Sequence, residues 1–456
     1  MDTRDVGDTL EATGVAVRAA GDGDEVAGVR PRWVALPESA EEIAAVMRVC
    51  AAHDLAAVAT GGGTKLHWGA PPDRCDVLVD LCCLNRVPEH AAGDLVVRAQ
   101  AGVTVEALAR ALAEEGQELA LDVPVPGTTV GGLLATGIAG PRRFRHGTAR
   151  DLLIGVTVVL ADGTIAKSGG KVVKNVAGYD LGKLFTGSYG TLGIIADATF
   201  RLHPLPAARA WVTATVDRPV TKTYGTWTNE DGLTFETLTT DLAGSLATMV
   251  PAVTESPLEP SAVEMDWPDV DGPCTLAVLV EGAAAAERAK ALCALMGGAL
   301  SDAQVTEEPP PWWGRLPEPP ARGGPPGTLG GGDGDGGEIL LEVRNAPSRL
   351  AETFLGFLDA ARVTGFRAAL RGSLAAHVLH AALPPDTDPA LVAGFTSQLR
   401  ASLGEEARVV VLAAPPEAAR RLDRWGHAGA LPLMRRVKER FDPDRRLSPG
   451  RFVGGI

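Results

Sequence analysis

The residues with the clearest chemical potential are Ala57-Val-Ala-Thr-Gly-Gly-Gly-Thr-Lys65, where an apolar run enters three glycines followed at once by Thr64 and Lys65. Glycine permits backbone conformations closed to other residues and lets a second molecule approach the main chain. Successive amides in such a turn form a concave anion site, to which Thr64 adds a hydroxyl and Lys65 a cation. A phosphate or diphosphate is the ligand that suits this chemistry. The Walker spacing is absent, and the Rossmann fingerprint would need a third glycine where Leu66 stands. A tight surface loop explains the same residues, so this stretch alone leaves both readings open.

A second glycine-rich stretch, Asp122-Val-Pro-Val-Pro-Gly-Thr-Thr-Val-Gly-Gly-Leu-Leu-Ala-Thr-Gly137, bears on the choice. Pro126 and Gly127 spell a turn, and Gly131, Gly132 and Gly137 open close backbone approach. Together the two stretches point to one extended, phosphate-bearing ligand between two subdomains.

The elements that must position these loops are legible in the periodicity. Ser39-Ala-Glu-Glu42 reads as a capping box, with Ser39 capping a helix and Glu42 reaching back to it. Ile43, Val46, Met47 and Cys50 then share one helical face. Asp76–Asp80 and Asp94–Gln100 read as strands, and a helix follows Thr104. Leu153–Leu160, Asp162-Gly163 and Thr164–Lys167 spell a hairpin. Residues 1–28 read as a weakly structured acidic lead-in.

Composition narrows the function classes. The chain has 456 residues, 45% of them hydrophobic, with 54 glycines and 33 prolines, which suits a loop-rich globular protein. A net charge of −14 argues against general nucleic-acid binding, which needs clustered Lys and Arg. No stretch approaches the roughly 18 unbroken apolar residues of a membrane span. The N-terminus has no hydrophobic signal region, so a cytoplasmic location is the expectation. The six cysteines form no Cys-x-x-Cys pair, so neither zinc nor an iron–sulfur cluster is encoded at usual spacings.

Four motifs then occur in order: Pro126-Gly-Thr-x-x-Gly-Gly132, Gly147-Thr-Ala-Arg-Asp151, Asn175-Val-Ala-Gly-Tyr-Asp-Leu181 and Gly187-Ser-Tyr-Gly-Thr-Leu-Gly193. Their sequence resembles the FAD-binding domain of the vanillyl-alcohol-oxidase or PCMH type, over residues 29–206. Within that family the chain is similar to the FAD-binding E subunits of bacterial glycolate oxidase. Leu431–Pro443 and Leu447-Ser-Pro-Gly-Arg-Phe452 are also typical of such subunits.

The resemblance implies an α+β fold: a two-subdomain FAD domain at 29–206, a ferredoxin-like α+β cap at 207–430, and a segment 431–456 returning to the FAD domain. Within the cap, Pro- and Gly-rich 309–337 is expected to be a mobile loop, with Trp312-Trp313 anchoring it on the surface. The Thr-rich stretch 221–240 has no place in the family pattern. By analogy, Thr60, Gly61, Gly62, Gly63, Thr64 and Lys65 hold the cofactor's pyrophosphate with Pro126, Gly127, Thr128, Thr129, Gly131 and Gly132. Thr136, Gly137 and Ile195 would lie near the ribityl or isoalloxazine. Some relatives attach FAD through a histidine in the first loop; Thr64 stands there, so non-covalent FAD is expected, with His67 close by.

Oxidation of a small 2-hydroxy acid also needs a group for the hydroxyl proton and cations for the carboxylate. Arg344, in a predicted strand, and Arg371, near another, are candidates, as is His377. Catalytic relatives carry a metal motif of the form His-x-Gly-Asp-Gly-Asn-x-His. Here Ala375-Ala-His-Val-Leu-His-Ala-Ala382 lacks its centre, and on a strand His377 and His380 would face opposite ways. No metal site is expected. Tyr189 also stands where those relatives tend to have Glu. The resemblance therefore implies a glycolate oxidase-like complex, with this chain beside a paralogous catalytic flavoprotein and an iron–sulfur subunit. The alternatives are a self-sufficient 2-hydroxy acid oxidoreductase and a structural subunit with a vestigial flavin.

Overall fold

The structure, a computed structural model, describes residues 3–170, 179–216, 223–228, 234–239, 241–270, 272–298, 300–320, 338–365 and 367–456. Most of the Asn175–Leu181 motif, parts of the Thr-rich stretch 221–240 and positions 321–337 of the expected loop lie outside them. The chain forms two compact units.

The first unit comprises Met1–Ala139, His146–Leu205 and Ala428–Ile456. It contains a four-stranded sheet in the order Ala16–Ala19, Trp33–Leu36, Val77–Asp80, Ala57–Thr60, whose last three strands run parallel. Val77, Leu78 and Val79 are all buried, as a central parallel strand requires. A five-stranded antiparallel sheet follows the order Glu89–Ala91, Val96–Gln100, Ile194–Arg201, Leu153–Val159, Ile165–Gly169. The helix Ala40–Ala52 buries Ile43, Val46, Met47 and Cys50 completely. Ser39 caps it, accepting from the Glu42 amide at 3.1 Å, but the Glu42 carboxylate accepts from the Glu38 amide rather than from Ser39.

The lead-in is more ordered than its composition suggests. Thr3–Glu11 is a helix, and Ala16–Ala19 pairs antiparallel with Trp33–Leu36. Val6 and Leu10, one helical turn apart, are buried and tie the helix down.

The second unit comprises Gly140–Arg145 and Pro206–His427. Its eight-stranded antiparallel sheet runs in the order Ser301–Thr306, Arg209–Val216, Cys274–Glu281, Ala262–Trp267, Ala369–Ser373, Val378–Leu383, Ile339–Arg344, Arg408–Ala413. Each half is a βαββαβ unit with its strands ordered fourth, first, third, second: the ferredoxin-like arrangement, made twice. The halves join where Glu264–Trp267 pairs with Leu370–Ser373. Alternate residues such as Met265, Leu341, Leu370 and Leu379 enter an apolar core with Phe354, Phe357 and Phe395. The intervening residues form a second face that mixes polar side chains such as Asp266, Arg371 and His380 with a smaller apolar cluster of Trp211, Ala262 and Leu279.

Arginines of Gly140–Arg145 pair with acids of this unit, Arg142 with Glu281 at 3.6 Å and Arg145 with Glu259 at 3.5 Å. Those pairs give the segment partners outside the stretch of chain that flanks it. His377 is not on a strand: it occupies the turn before Val378–Leu383, with φ +52°. The described part of 309–337 packs on the sheet, where Trp313 meets Trp211 at 6.2 Å, so the tryptophans are half-buried.

Candidate cofactor site

The parallel sheet delivers Ala57–Thr60 into the three glycines, and the Leu81 amide donates to the Thr60 carbonyl at 2.9 Å. The second glycine stretch packs directly on the first. A Cβ at Gly61 would lie 2.3 Å from Thr129 Oγ1, and one at Gly62 would lie 2.2 Å from the Gly127 carbonyl oxygen. Only a hydrogen atom fits at either place. Thr129 in turn caps the helix Val130–Thr136, its hydroxyl accepting from the Gly132 amide at 3.3 Å.

Lys65 is the charged centre of this arrangement. Its side chain is buried, and Nζ donates to Thr64 Oγ1 at 3.0 Å and Thr128 Oγ1 at 2.6 Å. The Thr128 hydroxyl in turn donates to the Val125 carbonyl at 2.6 Å. Both acceptors of Lys65 are neutral. The nearby Glu106 carboxylate instead accepts from the Gly127 amide at 3.0 Å. Burial pulls the Lys65 pKa down to about 8, against the opposing pull of Glu106. A buried cation with only neutral oxygens on it is costly, and an anionic ligand relieves that cost.

The loops open onto a cleft of about 520 Å³, adjoined by another of about 450 Å³. Thr60 through Lys65, Thr129, Gly132 and Thr136 line the first, while Gly131 and Ile195 line the second. Pro126, Gly127 and Thr128 line neither. Gly127 and Thr128 act from behind, against Gly62 and Lys65. Gly137 is the left-handed cap of its helix, with φ +67°, and also lies off the cleft. His67 is exposed and lines neither cavity.

Lining residues away from the two glycine stretches' candidates include Ala135, Tyr189 and Arg451, none of them a ligand candidate from the sequence. Nothing in the type or spacing of Ala135 or Arg451 marks them. Tyr189 was visible only as a departure from the family motif. Its ring packs on Phe452 at 5.6 Å, and its φ of +54° is unusual for a bulky residue.

The three catalytic candidates lie in the second unit and are differently placed. Arg344 makes a two-pronged pair with Glu342 at 2.8 and 2.9 Å. Arg371 donates to Asp266 at 2.7 Å and to the Leu316 carbonyl at 2.7 Å, and stacks over Trp312. His377 is buried, which lowers its pKa. His380 lies 3.6 Å from Glu342, across the strand pair. Asp266, Arg371, His380 and Glu342 thus form one register row across four strands, acid next to base at each end. Among the described residues no group of three or more His, Cys, Asp or Glu is arranged to hold a metal ion. No helix among them is long and apolar enough to cross a membrane.

Comparisons with known proteins fit this division. The FAD binding domain family matches residues 31–169. The chain is 36% identical over 191 residues to mitochondrial D-lactate dehydrogenase [cytochrome] 1 of Saccharomyces cerevisiae, covering 41% of this chain and 32% of the relative. It is 35% identical over 180 residues to the glycolate oxidase subunit GlcD of Bacillus subtilis, covering 39% and 38%. The matches thus span only about a third of these relatives' length. Among solved structures, p-cresol methylhydroxylase aligns with a TM-score of 0.69 over 98% of this chain and 96% of that one, at 15% identity. The 4-ethylphenol oxidase of Gulosibacter chungangensis aligns with a TM-score of 0.67 over 98% and 96%, at 16% identity. These two likenesses establish the fold.

Proposed function

We propose, from the premise that this chain is a PCMH-type FAD-binding protein, that it is the FAD-binding subunit of a glycolate oxidase-like complex. It works beside a paralogous catalytic flavoprotein and an iron–sulfur subunit, in the oxidation of a small 2-hydroxy acid. The observation that carries this reading is the difference between two sets of cations. Among the described residues Lys65 is buried at a cleft with no acid bonded to it, whereas Arg344 and Arg371 already hold Glu342 and Asp266. A substrate carboxylate calls for a two-pronged cation that is free to take it. The curated relatives act on D-lactate or belong to glycolate oxidase by name, which supports the 2-hydroxy acid class.

FAD, when bound, supplies the electron-accepting chemistry. The chain's own part is to hold it without covalent attachment. Gly61 and Gly62 leave room for close approach, Lys65 meets the diphosphate with charge, and Thr136 and Ile195 line the cavities that extend from it.

The test is the visible spectrum of the purified chain supplied with FAD, before and after glycolate is added without oxygen. Flavin that stays oxidised with glycolate alone and is reduced once the partner subunits are present supports the reading. Bleaching by glycolate alone overturns it in favour of a self-sufficient dehydrogenase. No bound flavin at all overturns the cofactor role and leaves a structural subunit.

A further inference from the structure

The cleft of the first unit contains a second cation that the glycine pattern does not reveal. The C-terminal segment runs beside the first glycine loop: Leu447 forms a parallel bridge to Ala57, and the Ser448 amide donates to the Ala57 carbonyl at 2.9 Å. The Ala70 amide donates to the Arg451 carbonyl at 3.1 Å, fixing the segment at the loop's exit. There Arg451 Nη2 donates to the carbonyls of Leu66 at 2.9 Å and Trp68 at 2.6 Å.

Those two bonds could be the whole role of an anchoring arginine, but three observations go further. The Arg451 side chain is only 4% exposed and yet lines the cleft. Its Nη1 has no hydrogen-bond partner among the described residues. Both its carbonyl acceptors are neutral, and no acid among the described residues pairs with it. Burial pulls its pKa down to about 10, which leaves it charged at neutral pH. Leaving a charged donor buried and unpaired costs more than the bond itself contributes when made. A cofactor oxygen at Nη1 removes that cost.

We propose that Arg451 is a direct anion ligand of the cleft, its Nη1 donating to an oxygen of the cofactor diphosphate while Lys65 meets the same group from the other loop. This rests on the reading that FAD occupies the cleft. Two cations of unlike geometry then face one dianionic group: a fork from the C-terminal segment and a point charge from the glycine loop.

The experiment is a calorimetric titration of the full-length apo chain with FAD and, separately, with ADP, which carries the diphosphate without the flavin. Arg451→Gln is expected to weaken both by about 10- to 100-fold, the range of a charge-assisted hydrogen bond. Arg451→Lys is expected to recover most of that loss, because it restores the charge. Unchanged FAD affinity in R451Q overturns the proposal. So does weakened FAD binding with ADP binding untouched, which would put Arg451 on another part of the cofactor. Should R451Q not fold, Lys65→Met carries the test. ADP affinity in K65M is expected still to fall with added salt, because the Arg451 charge remains; a flat salt response overturns the assignment. A wild-type chain that binds neither FAD nor ADP overturns the cofactor reading itself.

Discussion

The eight-stranded sheet and the glycine-loop cleft compensate their buried cations differently. In the eight-stranded sheet Arg371 has Asp266 at 2.7 Å, and Arg142 and Arg209 share Glu281. At the glycine-loop cleft Lys65 and Arg451 bond, among the described residues, only to threonine hydroxyls and main-chain carbonyls. The difference is not a property of the first unit as a whole. Lys438, buried elsewhere in that unit, has Asp442 at 2.7 Å. A protein that can place an acid beside a buried cation, and does so away from the cleft, leaves the cleft cations for something it does not itself supply. Arg424 of the second unit is also buried and donates to the main-chain carbonyls of Val411 and Leu412, so charge compensation marks the cleft cations only together with their place in the cleft lining.

The largest effect expected from breaking this contrast is on the scaffold side. Arg371→Met leaves Asp266 buried without its partner and is expected to cost about 3–5 kcal/mol of stability. FAD affinity should not change. Burial already holds the Asp266 carboxyl above its ordinary range, despite Arg371. A raised folded pKa means the folded state binds the extra proton, so the deficit should grow as pH rises through that pKa and shrink in acid. Chemical denaturation at several pH values, alongside FAD titration, checks both halves. Replacing Asp266 and Arg371 together by apolar residues should restore most of the loss, as a structural pair allows.

On the cofactor side, Gly62→Ala sharpens the comparison by attacking shape rather than charge. The new Cβ would sit 2.2 Å from a carbonyl oxygen of the other loop, a main-chain atom that cannot swing aside. Overpacking strain of about 1–3 kcal/mol is expected. It should appear as a fall in FAD affinity of about 10- to 100-fold, read from the retention of flavin on desalting and confirmed by titration. A variant that keeps its flavin would mean the loops are free to part, and would remove the geometric basis of the cradle.

How much of this was legible beforehand follows the same division. Gly61, Gly62, Gly127 and Thr129 could be read from sequence because close packing of two loops leaves few residue types possible. The ferredoxin-like cap was legible through the family resemblance, and its doubling in one eight-stranded sheet was not. The Leu447–Phe452 motif marked the segment that carries Arg451, but not its role, because nothing local in an arginine near the C-terminus says which loop hundreds of residues earlier it meets. Arg344 and Arg371 looked like ligands for the converse reason: their acids lie on other strands or two residues away, and sequence does not say which charges meet. The helix Thr3–Glu11 was missed because an acidic composition hid the two apolar residues, Val6 and Leu10, that anchor it.

The smallest effect is expected at Lys65, and its pH dependence carries the information. Lys65→Met should weaken FAD by about tenfold, the low end for a charge-assisted bond, because Arg451 remains. In the free protein burial holds the Lys65 pKa at about 8. An anion bound beside it raises that pKa, so above pH 8 the bound form holds a proton that the free form has released. Binding then takes up protons, and wild-type affinity should fall as pH rises from 8 towards the ordinary lysine range, by up to about tenfold per pH unit for a single group. K65M should be flat over the same interval. Equal slopes in the two proteins would assign the proton to another group. The uncompensated charge at Lys65 would then be a feature of the free protein that the ligand does not use.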